Sequence, residues 1–492
     1  MSKMDSAHRR AYEAYAKRDD WYIKTFQLRP VVFFVQVLAA FESLNRYDFA
    51  QKFGGLVVEA NNQATWLWNI SEMARSRQHF VEAVVADAEF LERFEVDFMS
   101  AWKNYLEAER RFTEIDLSTA DLPALVKGYH DITMAESEVG KIGYVTDCFL
   151  STGDADWLVS EIEQELPTDD QYREQVIAEL ATPVTSSFVQ DEETDLMEIS
   201  LAPADEIEGL LRKHAADWHW IENSYFESEP IGVEAFAQKV DLMRVDDRIQ
   251  KKLAEARSAE TYKRRRKAEL FEQYSFSDRL RRIIDLSERI SHITDLRKQG
   301  VLRVNGQIWR WLPEVVKRTG HDRELLSWMF PLEAVEVLLE GKVDKLEVRR
   351  RDGFGMFYYM GQPLYYSAKD LLEADFMKLQ EVETDVQVIS GQIAFVGKVT
   401  GTARVIKGRD DFARFTKGDI LVTNQTTPEF VPLMRQASAV VTDQGGITCH
   451  AAIVSRELQI PCIIGTDVAT RIIQDGEQIL VDAEIGVVSR LN

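Results

Sequence analysis

The stretch Thr442-Asp443-Gln444-Gly445-Gly446-Ile447-Thr448-Cys449-His450-Ala451-Ala452-Ile453-Val454-Ser455-Arg456-Glu457 decides the fold of this chain. A short apolar strand, Ala439 to Val441, leads into a glycine-rich turn, and a helix opens at His450. Strand, turn and helix in succession predict an α/β unit. A histidine in the first turn of a helix sits where free backbone N–H groups and the positive end of the dipole point outward. That end favours neutral imidazole over imidazolium, so the ring is available as a nucleophile at pH 7. The same end accepts a phosphate once one is attached. Gly445 and Gly446 let the backbone approach a charged group without Cβ interference. The pattern predicts a nucleophilic His450 suited to phosphoryl transfer.

From Gly445 to Cys462 the order and spacing of residues resemble the phosphohistidine signature of the PEP-utilising enzymes. These include phosphoenolpyruvate synthase, pyruvate phosphate dikinase and the rifampicin phosphotransferases, and the Thr448-Cys449-His450 version resembles the synthases in particular. Residues 386–492 resemble the swivelling phosphohistidine domain of that family over their whole length. The resemblance implies a covalent N–P intermediate at Nε2 of His450. It also implies Gly445, Gly446, Thr448 and Arg456 as phosphate stabilisers. Thr448 matches the threonine that regulatory kinases phosphorylate in some dikinases; a cap or phosphate-contact hydroxyl is its plainer reading. Cys449 reads as a small residue filling the turn rather than as a thiol nucleophile. Ala483 stands where relatives tend to carry Gly, which changes a turn and not the chemistry.

At 492 residues the chain has room for two to four domains. Hydrophobic content of 45% and aromatic content of 10% are globular values. A net charge of −23 argues against nucleic acid or an anionic membrane as the main partner. The longest apolar run, Pro30 to Phe41, contains Gln36 and is too short to span a bilayer. No export signal is visible, and three cysteines without metal-like spacing (Cys148, Cys449, Cys462) suit a reducing cytoplasm.

The predicted architecture is a mainly α N-terminal region with a small β-meander, followed by the α/β swivelling phosphohistidine domain. The expected units are residues 1–205, a first helical lobe; 206–380, a second lobe with the meander; and 386–492. Residues 21–45, 49–70, 73–94, 95–115 and 122–150 show apolar residues at three-and-four spacing and predict helices, with a break at Pro30. Residues 346–351, 354–360 and 363–366 predict the meander, with a turn at Asp352-Gly353. Residues 370–390 predict a helix running into a polar hinge, 381–385. Thr427 and Pro428 predict the cap and first residue of a further helix. Residues 151–210 are strongly acidic, whereas 241–300 hold sixteen Lys and Arg against eleven Asp and Glu. Such a basic run reads as a solvated helix face, or as a surface that greets phosphates, including the incoming phosphohistidine.

His214 and His219 are five apart, poor spacing for two ligands on one helix face, and no metal site is predicted. A similar His-and-Trp segment leading to a Tyr occurs in helical domains that accompany phosphohistidine domains. By that resemblance His214, His219, Trp220 and Tyr225 line an acceptor pocket. No Walker-type loop is present, the first 300 residues do not resemble an ATP-grasp domain, and no PEP-binding barrel follows the swivelling domain. The expectation is a phosphotransferase subunit: an ATP-grasp protein in trans holds ATP and Mg²⁺, and the helical region binds a small-molecule acceptor. The alternative is a non-catalytic phosphocarrier or regulatory protein whose helical region docks a protein partner.

Overall fold

The computed structural model describes residues 21–32, 39–40, 42–43, 53–59, 62–87, 89–149, 157–170, 172–228, 230–359, 362–368, 386–426, 430–446 and 449–491. Within them the N-terminal region is mainly helical, and the C-terminal region is α/β.

The first departure from expectation is a five-stranded antiparallel sheet in the helical region. Its strands β1 (Trp21–Gln27), β2 (Phe53–Val58), β3 (Gln63–Asn69), β4 (Phe354–Tyr359) and β5 (Gln362–Tyr366) run in the order β1-β3-β2-β4-β5. Residues 21–27, 53–58 and 63–69 are therefore strands, not the predicted helices. β3 reads Gln-Ala-Thr-Trp-Leu-Trp-Asn, and all but its first residue are buried. A strand buried on both faces has no polar alternation, so its apolar run mimics a helix face. The predicted meander loses its first strand, because 346–351 belong to the helix Asp344–Asp352. Its other two strands hold, joined to the sheet through β2, whose Val58 pairs with Phe354.

Helices α1 (Ile70–Ala86), α2 (Phe90–Thr113) and α3 (Leu122–Gly143) follow β3. Asn69 caps α1 by accepting from the Glu72 N–H, and Asp121 caps α3 by accepting from Ala124. A satellite core forms from α4 (Phe188–Leu201), α5 (Ile207–Trp218) and α6 (Val233–Arg244), where Leu196 and Ile199 pack with Leu211, Trp220 and Phe236. The basic run falls on α7 (Ile249–Tyr274) and the long α8 (Asp278–Thr319), which ends at left-handed Gly320. α8 is the spine of the region. Its Trp311 stacks on Tyr129 of α3 at 4.3 Å, and its buried face joins one core running from Leu28 to Met356. Most of the basic surplus is absorbed by acids of preceding helices: Arg257 pairs with Glu198, Arg266 with Glu179, Arg279 with Glu161 and Arg289 with Glu95.

The C-terminal unit is an eight-stranded sheet ordered β6-β13-β12-β8-β9-β10-β11-β7. The strands are β6 (Val388–Ser390), β7 (Gln392–Phe395), β8 (Lys398–Val405), β9 (Ile420–Thr423), β10 (Ala439–Thr442), β11 (Cys462–Ile464), β12 (Gln478–Asp482) and β13 (Val487–Arg490). Val388–Ser390 is thus strand rather than the end of a helix; the hinge 381–385, Thr427 and Pro428 lie outside the described residues. β8 to β11 pair in parallel, and every residue of β9, β10 and β11 is buried. Side-chain layers on both faces enforce that burial.

Candidate active site

The predicted strand–turn–helix is present. β10 ends at Thr442, the turn follows, and α9 (His450–Leu458) opens beyond the carboxyl ends of the parallel strands. That edge is where open α/β sheets bind ligands. Asp443 braces the turn: its buried carboxylate accepts from the Thr466 hydroxyl at 3.1 Å and from both the amide and the hydroxyl of Thr470. Gly445 has φ +125°, and a Cβ there would lie 2.5 Å from the Cys449 sulfur. Glycine is therefore required. Cys449 is the N-cap of α9, its sulfur accepting from the Ala452 N–H, and burial pushes its thiol up. A protonated capping thiol is no nucleophile.

His450 is anchored at one nitrogen and open at the other. Nδ1 lies 2.7 Å from the Thr426 hydroxyl, just past the end of β9, and Nε2 is shielded from solvent with no hydrogen-bond partner. In the tautomer whose Nδ1–H donates to Thr426, Nε2 keeps its lone pair. Burial, and then the Lys298 ammonium, push the ring down to about 4. The imidazole is neutral at physiological pH. Sequence reasoning did not single out Thr426; only the fold brings the ends of β9 and β10 side by side.

Across from this turn stands the helical region. Tyr22 of β1 donates from its hydroxyl to Gln444 Oε1 at 2.8 Å, next to the double glycine. Lys24 and Phe26 share the Tyr22 face of β1. Phe26 meets Tyr225 at 5.6 Å, and Arg297 of α8 lies 4.0 Å over the Tyr144 ring while donating to Asp147 at 2.5 Å. Lys298, the next residue, is exposed and within electrostatic reach of Cys449 and His450. None of Tyr22, Lys24 or Lys298 was a predicted site residue. The only sequence signal was the basic run to which Lys298 belongs.

The remaining predicted residues scatter. Arg456 donates to the Ala394 carbonyl at 3.1 Å, tying α9 to β7, and Thr448 lies outside the described residues. His214 is enclosed in the satellite core, 2.7 Å from Asp195, 3.4 Å from Glu192 and edge-on to Phe236. His219 ends α5 with Nδ1 3.1 Å from the Ala216 carbonyl, and Trp220 is buried against Phe188. Of these four, Tyr225 meets β1, through Phe26. An open groove of about 610 Å³ does adjoin Trp218 and Trp220, but Asp191, Asp195, Glu198 and Asp217 line it and His450 does not. Among the described residues no cluster of His, Cys, Asp or Glu is placed to hold a metal ion.

The family model "PEP-utilising enzyme, mobile domain" matches residues 415–486. Residues 415–486 thus resemble the mobile domain of PEP-utilising enzymes. A probable phosphoenolpyruvate synthase of Archaeoglobus fulgidus is 41% identical over 137 residues, 28% of this chain and 18% of that protein. The phosphoenolpyruvate synthase of Pyrococcus furiosus is 44% identical over 116 residues, 24% of this chain and 14% of that protein. An uncharacterized phosphotransferase of Bacillus subtilis, YvkC, is 34% identical over 179 residues, 34% of this chain and 22% of that protein. The chain thus matches less than a quarter of the length of these curated relatives. Among solved structures, Thermococcus kodakaraensis aconitase X aligns over 22% of this chain and 100% of its own at 17% identity, with a TM-score of 0.19, which carries no argument. No described helix is long and apolar enough to cross a membrane.

Proposed function

We propose that this chain is a phosphotransferase, or a subunit of one, that carries a phosphoryl group on His450 from an ATP-grasp partner to a small-molecule acceptor bound by the helical region. The observation that carries the reading is the asymmetry of His450: Nδ1 held by Thr426, Nε2 buried without a partner. In the first step the Nε2 lone pair attacks phosphorus, the N–P bond forms, and the P–O bond breaks with its electron pair leaving on the donor oxygen. In the second, an acceptor oxygen attacks phosphorus, the N–P electrons return to Nε2, and the acceptor proton passes to solvent. The first-turn amides of α9 and the Gly445-Gly446 backbone supply donors for the phosphate. Thr448, two residues before the histidine in sequence, is the position a regulatory kinase would modify.

Mg²⁺ is not assigned to this chain. Among the described residues the group acting on His450 is the cationic Lys298, and Asp147 is already engaged by Arg297, so those residues do not fit a divalent cation. That fits ATP and its metal being held by a partner. Because Nε2 is shielded from solvent here, charging requires whatever covers it to move, as a swing of the domain would provide.

Potassium phosphoramidate, a small phosphoryl donor that needs no partner protein, tests the reading. Wild type is expected to gain an acid-labile phosphoryl group, and His450→Ala none. Equal labelling of both would overturn the assignment. Labelling from ATP in the presence of a candidate ATP-grasp protein then identifies the donor.

A further inference from the structure

Lys24 and Lys298 are odd residues for their setting. In a chain of net charge −23 most cations of α7 and α8 find carboxylates, yet neither of these lysines makes an ion pair among the described residues. They come from segments more than 270 residues apart, on β1 and α8, yet lie within electrostatic reach of each other, Lys24 being two residues along the same strand face from the Tyr22 that bonds Gln444. Arg297 adds a third cation, offset by Asp147. Glu136, the other acid near Arg297, is pushed up to about 8 by burial and stays protonated at neutral pH. Asp295, one turn before Lys298, accepts from the Phe188 amide at 3.1 Å and forms no ion pair with that lysine. Tyr22, Tyr144 and Tyr225 are held neutral by burial. The space between β1 and α8 therefore carries surplus positive charge, and Lys298 brings it within electrostatic reach of His450, whose Nε2 has no partner. Crowding has a cost that appears in Lys24 itself: burial, then Lys298, bring its ammonium down to about 8. A doubly charged anion placed between the lysines would remove that cost.

We propose that this space between β1 and α8 is the docking site for the phosphoryl group carried on His450, with Lys24 and Lys298 closing on its oxygens. The inference rests on the phosphohistidine reading and adds to it the residues that receive the charged domain. It makes the present arrangement the acceptor-side one, and it places the acceptor along Tyr22, Phe26 and Tyr225 rather than at His214. Two ammonium groups on the transferring oxygens also offset the charge that develops between the leaving nitrogen and the incoming oxygen.

The test uses the full chain charged with phosphoramidate and followed by phosphorus NMR as pH is varied. The phosphoryl group of wild type is expected to titrate about one pH unit below that of the Lys24→Gln/Lys298→Gln variant, since nearby cations favour the dianion. Lys298→Arg should keep the low midpoint. Lys213→Gln, whose lysine pairs with Asp217 on α5, should not move it. If the double variant unfolds, Lys298→Gln alone is read, because its side chain is exposed. Equal midpoints in wild type and the lysine variants, with His450 still charged, overturn the docking site and leave the phosphohistidine standing. Failure of wild type to charge at His450 overturns both.

Discussion

The state of His450 is set by what the ring touches on one side and lacks on the other. Thr426 fixes the ring, and burial with Lys298 keeps it unprotonated. The sign is that of a base depressed in the folded protein: neutral above about 4, charged only below. In a histidine NMR titration the His450 ring should show no protonation between pH 5 and 8, whereas an unperturbed imidazole titrates near 6.5. Lys298→Gln should raise the midpoint by less than burial lowers it, because burial is the larger cause. A ring that titrates near 6.5 in wild type would remove the electrostatic basis of the site. Thr448 and Arg456 came from the family pattern, and the fold commits one Arg456 nitrogen to the Ala394 carbonyl.

At the scale of elements, the strand–turn–helix of 439–458 was legible because its signals are local: a buried β-run, a left-handed glycine and a capping residue within twenty positions. The five-stranded sheet was not. Its strands are short and apolar, and their partners lie up to about 300 residues away, as when Val58 meets Phe354. That junction depends on Gly353, which has φ +66° and whose hypothetical Cβ lies 2.4 Å from the Val58 carbonyl oxygen. Gly353→Ala is expected to destabilise the helical region by roughly 2–4 kcal/mol, combining left-handed strain with overpacking. Urea unfolding measures this, and a loss below about 0.5 kcal/mol would mean that the strand entry relaxes freely.

For the whole molecule, the issue is how firmly the two regions are held together. Tyr22 to Gln444 is a single neutral hydrogen bond, and Arg435 to Glu193, at 3.9 Å, is an exposed ion pair. Each is worth about 1 kcal/mol or less. Among the described residues these two polar ties are weak enough to part readily, which the proposed swing to a donor would require. Tyr22→Phe should weaken docking about fivefold, read as faster amide exchange in the 442–446 turn with exchange in β9 unchanged. Unaltered exchange would show that Tyr22 does not hold the domain. The sequence by itself determined the backbone of the histidine turn, because a strand, a glycine turn and a helix start are dictated by neighbouring residues. Tertiary structure alone decided what faces that histidine. Tyr22, Lys24, Tyr225 and Lys298 come from segments with no local mark of their purpose, and only long-range packing of β1 against β3 and of α8 against α3 brings them together.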